Sequence, residues 1–366
     1  MRQCVKNTQT SLNMEAKKIT IVYLYAEIMG YNVAVFKEYI RNHQAEVHVV
    51  HWDQKKKTPY VPPELDNVFY YGKSQFDNTS LLQFVLKLQP DIIFTSGWMD
   101  RDYLKMCLKL RQKPFPIIAI SDTSYNRSWR QKLGSIYFKL FYRKAFDYLW
   151  VAGPYQYEYG KRLGFRNSEI LFNSLTADLP YFNSIYQSTK ANKKKKYPHQ
   201  FLFVGRFANE KGLELLIEAW DKVQYKKDWT LRFVGHGPLK AQIPQQRTVD
   251  LHDFVQPNQF ESLVAQAGCL ILPSTKEPWA LVLHEFAAAG LPIICSDACG
   301  AAPVFVVSGY NGYTFPTTKV HLLQEAIQKI INTSDEDLVL LSNRSHQLGQ
   351  RIDPETTAAN SLSVLK

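Results

Sequence analysis

Nowhere in the 366 residues does an apolar run reach the ~18 positions that a membrane-spanning helix needs, so none is expected. The opening stretch, "MRQCVKNTQTSLNMEAKK", also lacks the apolar segment of a secretory leader, which makes the cytoplasm the expected location. Cysteine is scarce. Its five occurrences, Cys4, Cys107, Cys269, Cys295 and Cys299, are odd in number and sit mostly in apolar strand-like runs, which argues for reduced thiols and against a disulfide framework. Cys295 and Cys299 have a ligand-like spacing, but no second Cys or His pair completes a metal site. Acids are outnumbered: with 33 Asp and Glu against 44 Lys and Arg the net charge is +11, so a polyanionic partner has to be considered. Nucleic acid, an anionic membrane surface and a phosphorylated substrate all meet that description. What is abundant is ordinary globular composition, 45% apolar and 21% charged, over a length that suits two domains.

The hydrophobic pattern alternates between two periods. "KKITIVYLY" reads as a strand, "GYNVAVFKEYIRNH" as a helix and "AEVHVVHW" as a strand, and the rhythm runs on through "DIIFTSGW" and "FPIIAISD". At 188–199, "STKANKKKKYPH" is polar, basic and closed by Pro, the composition of a linker. "QFLFVGRF" then restarts the alternation. The expected organisation is an α/β chain of two Rossmann-like, doubly wound domains, 1–187 and 200–335, joined by that linker. A helical segment over 336–366 follows, packing back on the first domain. Ligands of such folds sit at the carboxyl ends of the strands, where the domains face each other.

Three stretches carry chemistry. In "FLFVGRFANEKGLELL" a strand runs into Gly205 and Arg206, and Lys211 stands at the mouth of the next helix. A forked cation and a point cation over a helix N-terminus suit a diphosphate. "LRFVGHGPLK" ends a strand in Gly235, His236 and Gly237, where glycine permits close approach of a ligand. "TKEPWALVLHEFAAAGLPIICSD" places Glu277 in a loop at a strand's carboxyl end and Glu285 one to two turns into the following helix, with Trp279, Ala280 and Leu281 around the helix start. Between the acids stand only Pro, Trp, Ala, Leu, Val and His.

Taken together, "GR…KG", "VGHGP" and "EPWALVLHEFAAAGLPII" resemble the large retaining family of GT-B glycosyltransferases, glycosyl transferases group 1, that includes bacterial polysaccharide and phosphatidylinositol mannosyl transferases. The likeness is strong over about 200–330; in the first half only the architecture and "DIIFTSGW" agree. It implies a nucleotide-diphosphate sugar as donor substrate, with no cofactor and no metal, and transfer of a hexose to a saccharide or lipid-linked acceptor in cell-surface polysaccharide or lipopolysaccharide synthesis. It assigns Arg206 and Lys211 to the donor diphosphate, Glu277 to hydroxyls of the donor sugar and Glu285 to the ribose. Gly205, Gly235 and the loop Trp279, Ala280 and Leu281 complete the donor side. The family usually has Gly at position 280, and "CGAAPVFV" replaces its Gly-Gly-acid, which puts donor contacts from 299–303 in doubt.

The resemblance also implies a same-face displacement in which the leaving diphosphate deprotonates the acceptor, with Arg206 and Lys211 stabilising the growing charge. On the acceptor side it points to Asp122, at the end of "IIAISD", which equally reads as a turn or N-cap residue, and to Gly30, in the loop after the first strand. "NRSWRQKLGSIYFKLFYRKAFDYLW" joins Arg127, Arg130, Lys132, Lys139, Arg143 and Lys144 to many aromatics. It reads either as a helix docking on anionic lipid, within 127–150, or as a core-packed helix with a basic solvent face; nucleic-acid binding lacks a recognition module. The competing functions are a sugar-nucleotide-binding protein without transferase activity and a GT-B epimerase or phosphorylase.

Overall fold

A computed structural model describes residues 18–54, 60–256 and 259–365; the opening stretch with Cys4 lies outside them. Among the described residues thirteen strands form two sheets. The first holds β1 Ile19–Tyr25, β2 Ala45–His51, β3 Val68–Gly72, β4 Ile92–Thr95, β5 Ile117–Ser121, β6 Tyr148–Val151 and β7 Ile170–Leu171, in the order β3-β2-β1-β4-β5-β6-β7. The second holds β8 Gln200–Val204, β9 Thr230–Val234, β10 Val249–His252, β11 Cys269–Leu272, β12 Ile293–Ser296 and β13 Gly312–Phe315, in the order β10-β9-β8-β11-β12-β13.

Neighbouring strands are parallel throughout, from β1 with β2 to β12 with β13. Parallel strands need a crossover, supplied here by helices that cover the sheet faces. The central strands therefore carry apolar residues without alternation: β4, β11 and β12 are buried at every position. In both sheets the order reverses beside the first strand, between β1 and β4 and between β8 and β11, and each reversal opens a crevice at the strands' carboxyl ends. This is the α/β, two-domain, doubly wound architecture that the alternating pattern implies.

The basic stretch 188–199 is not an extended linker. Residues up to Lys195 belong to a helix, Leu179–Lys195, started by the Asp178 cap and Pro180. Its buried residues, Leu179, Phe182, Ile185, Tyr186, Thr189 and Lys193, lie on one helical face, so tertiary packing overrides the polar composition. Lys193 itself is buried, its Nζ donating to the Ala267 carbonyl at 2.8 Å, and burial pushes its ammonium down to about 7.

The chain crosses between domains twice. The first crossing leads from β7 into Leu179–Lys195. The second follows the helix Asp335–Gly349, which packs on Leu281–Ala288 of the second domain, and returns the chain to the first as the helix Pro354–Leu362. There Ser361 meets Tyr39 of the helix Gly30–His43 at 2.6 Å, and Ala358 and Leu362 join the first domain's core. Only the last part of 336–366 thus packs on the first domain. His284 ties the crossings together. Its Nδ1 accepts from the Ala177 N–H at 3.0 Å, its Nε2–H donates to the Gly349 carbonyl at 2.9 Å, and its ring stacks on Phe305. Burial pushes its pKa down to about 4, so it is a neutral structural imidazole.

Candidate active site between the two sheets

The carboxyl ends of β1, β4 and β5 face those of β8 and β9 across a cleft of about 500 Å³. Asp122, Gly205, Arg206, Lys211 and Gly235 all line it, together with His236. Its volume is in the range that takes a small organic ligand.

On the second-domain wall the geometry begins with glycine. Gly235 has φ +152°, and a Cβ there would fall 1.9 Å from the Gly205 carbonyl oxygen; the absent side chain lets the ends of β8 and β9 close on each other. The backbone that approaches is the chain's own, a role the sequence reading gave to a ligand. Arg206, directly after Gly205, pairs with Glu210. Lys211 closes the short 3-10 turn Asn209–Lys211, and the Glu210 carbonyl of that turn accepts the Thr275 N–H at 2.8 Å. This stitch brings Lys211 to the loop bearing Glu277, and the two side chains form an ion pair, with Ser274 Oγ also donating to Glu277 Oε2 at 3.4 Å. Each cation on the cleft wall thus holds a carboxylate in the ligand-free protein.

Residues 299–301 do not line the cleft. Cys299 bridges Glu277, the Gly300 N–H donates to the Glu277 carbonyl at 3.0 Å, and the Ala301 N–H to that of Trp279 at 2.7 Å. They buttress the loop from behind. Trp279 is buried and stands on Gly153, where an added Cβ would lie 2.5 Å from the indole, so its ring packs between the domains and does not line the cleft. Ala280 takes the left-handed conformation, φ +77°, as the N-cap of Leu281–Ala288, the backbone geometry that explains why glycine suits this position. Within the first turn of this helix the Leu283 N–H turns back to the Ala280 carbonyl at 3.0 Å.

Glu285 is not among the cleft-lining residues. It is half-buried on Leu281–Ala288, and loss of hydration pushes its carboxyl up to about 7. A hydroxyl donating to this group favours its charged form, which links ligand binding to proton release. If Glu285 holds the donor as the family resemblance implies, affinity for a nucleotide-diphosphate sugar, whose diester phosphates stay ionised, is expected to fall by up to about tenfold per unit as pH drops below about 7. Glu285→Gln flattens that dependence. Because the native pKa lies above the unfolded one, the group's contribution to stability is present below the unfolded value and lost as pH rises through about 7, so the Gln variant is the more stable protein at alkaline pH. Calorimetric titrations at several pH values check this; an unchanged pH step in the variant removes Glu285 from the donor site.

On the first-domain wall, Asp122 follows β5. It is open to solvent at the cleft yet enclosed by protein, and this raises its carboxyl above the usual range, with the charge of Glu277 adding to the effect. Tyr25, whose phenol burial pushes up to about 12, and Tyr31 stand close to it. Gly30 is only adjacent, between the cleft residues Met29 and Tyr31, and no close contact requires glycine there. Sequence reasoning missed Tyr25, Trp52, Ser96 and Ser174. All four line the cleft just at or beyond the carboxyl ends of β1, β2, β4 and β7, so the strand-end rule was the signal that could have found them. The hydroxyls of Ser96 and Ser174 are buried without a hydrogen-bond partner.

One residue joins the walls. Gln156, 1% exposed, donates from Nε2 to the Asp122 carbonyl at 3.1 Å and to the Pro278 carbonyl at 2.5 Å. Two carbonyl acceptors fix the orientation of the amide.

Residues 185–350 match the family described as Glycosyl transferases group 1. An uncharacterised glycosyltransferase of Methanocaldococcus jannaschii is 31% identical over 106 residues, 27% of this chain and 27% of that protein. A putative teichuronic acid biosynthesis glycosyltransferase of Bacillus subtilis is 32% identical over 104 residues, 28% of this chain and 26% of that protein. The chain thus matches about a quarter of the length of these relatives. In fold it is similar to the Anabaena protein HepE, solved in complex with UDP and glucose, with a TM-score of 0.69 at 16% identity over 95% of this chain and 100% of that one. The two-sheet architecture agrees with these findings: across residues 185–350 the chain matches glycosyl transferases group 1, within a GT-B fold.

Proposed function

We propose that this protein is a retaining, metal-independent hexosyltransferase that moves a sugar from a nucleotide-diphosphate donor to a saccharide or lipid-linked acceptor, at the cytoplasmic face of the membrane, in cell-surface polysaccharide synthesis. The observation that carries this reading is the pair of cations, Arg206 and Lys211, on one wall of a cleft whose other wall bears Asp122. Donor phosphates displace Glu210 from Arg206 and take donors of Lys211 that Glu277 leaves unused. Lys211 and Ser274 engage one oxygen of Glu277, and the other remains for a sugar hydroxyl. The bond from the anomeric carbon to the diphosphate breaks as the acceptor oxygen bonds to that carbon on the same face, and the acceptor proton passes to a diphosphate oxygen. The cations stabilise the charge that grows there. The unpartnered Ser96 and Ser174 hydroxyls offer hydrogen bonds to a polyhydroxylated substrate. The Bacillus subtilis relative, named as a putative teichuronic acid biosynthesis glycosyltransferase, supports the cell-surface setting.

The test is a panel of nucleotide sugars with saccharide and lipid-linked acceptors, following nucleoside diphosphate release and the anomeric configuration of the product by NMR. Net retention is expected. An inverted product overturns the same-face step; binding without release or transfer overturns the enzyme reading.

A further inference from the structure

The helix Trp129–Phe141 has a solvent face unlike the basic one expected of a core-packed helix. Only Ser135 and Phe138 on it are buried, and Phe138 packs on Trp98, whose neighbour Met99 lines the cleft. The outward side is apolar: Trp129, Leu133, Ile136, Tyr137, Leu140 and Phe141 each expose 50–66% of their surface. Trp129, Leu133, Ile136 and Leu140 follow the i, i+4, i+7, i+11 spacing of a single stripe, on the side of the helix away from Phe138. Exposed cations, Arg127, Arg130, Lys132, Lys139 and Lys144, surround the stripe, and the helix contains no acid. Arg143 is not one of them. It bonds Glu169 at 2.5 Å and the Gly164 and Phe146 carbonyls, and lies over the Phe165 ring, so it serves the fold.

We propose that this helix is a membrane-docking element that lies in the interface of an anionic bilayer with its apolar stripe inserted, and that the acceptor of the proposed transfer is therefore carried on a lipid. The second half of this statement rests on the transferase reading; the surface does not. Charge decides between a bilayer and a second copy of this chain. A symmetric dimer brings like-charged rims together, whereas an anionic headgroup layer complements them. Apolar residues in an interfacial helix sink to the acyl boundary, with Trp and Tyr at headgroup level and basic side chains reaching the phosphates. The position suits delivery of a substrate. Asp122 of the cleft and Trp129 are seven residues apart along the chain, which bounds their separation at about 25 Å.

The experiment is co-sedimentation of the full chain with vesicles of phosphatidylglycerol and phosphatidylcholine, and of phosphatidylcholine alone, at low and high salt. Binding to the anionic vesicles is expected. Leu133→Ser, Ile136→Ser and Leu140→Ser combined should lower the partition coefficient at least about tenfold at both salts. Arg130→Gln, Lys132→Gln and Lys139→Gln combined should lower it chiefly at low salt. Trp129→Phe should remove the vesicle-induced fluorescence change, and unchanged circular dichroism shows that each variant is folded. Wild-type protein left in the supernatant at low salt, or an apolar variant that binds like the wild type, overturns the proposal. So does a dimer in sedimentation velocity that the apolar variant breaks while wild-type protein ignores vesicles. A protein that binds vesicles but no nucleotide sugar upholds the surface and overturns the transferase reading.

Discussion

Arg206→Ala and Lys211→Ala should each lower turnover by on the order of 100-fold or more while the fold survives. Neither side chain is buried in a core; Arg206 is half exposed, and Lys211 meets its partner at the cleft. The loss falls on the transition state, where negative charge collects on the leaving diphosphate. The variants should differ in one respect. Removing Arg206 leaves Glu210 at the surface, where water solvates it, and such exposed pairs contribute little. Removing Lys211 leaves Glu277 without its counter-ion next to Asp122, whose carboxyl already feels that charge. Lys211→Ala should therefore also shift the pH dependence of turnover, and Arg206→Ala should not. Steady-state turnover across pH, with thermal melts as control, decides; near-normal turnover in both variants removes the diphosphate assignment.

Gln156→Leu is expected to have the next largest effect, a fall in kcat of about 10- to 100-fold with a smaller change in donor affinity. The carboxamide holds the loops bearing Asp122 and Glu277 in register, and a misplacement of about 1 Å between reacting groups costs catalysis on that scale. Two part-buried carbonyls also lose their donor, at about 1–3 kcal/mol each where water does not replace it. Gln156→Glu should be worse, since a carboxylate has no proton to give either carbonyl. Separate measurement of kcat and of donor binding by calorimetry tests this; an unchanged kcat makes the contact merely structural.

Much of the fold was legible because strongly β-branched runs, such as Ile92–Thr95 and Ile293–Ser296, alternate with helical periods. β13, Gly312–Phe315, escaped notice because four residues between a glycine-containing turn and Pro316 make no period. The helix Leu179–Lys195 was hidden by its lysines, although the spacing of Leu179, Phe182, Ile185 and Tyr186 was there to read. Arg206 and Lys211 stood out because a local motif places both near one helix start. Gln156 could not, since its partners are 34 and 122 residues away and only the fold brings them to it. Charge on the Trp129–Phe141 helix was plain, but which of its faces met solvent depended on a contact with Trp98 that no local pattern encodes.

The two crossings of the chain between domains lie side by side, with Thr176 Oγ1 near the Ile352 carbonyl and His284 bonded to both. A body joined to another by one strand can swivel about it freely; joined by two at neighbouring points, it keeps mainly a swing about the line through them. Asp122 and Glu277 sit on opposite leaves of this door, and the Gln156 amide is its catch.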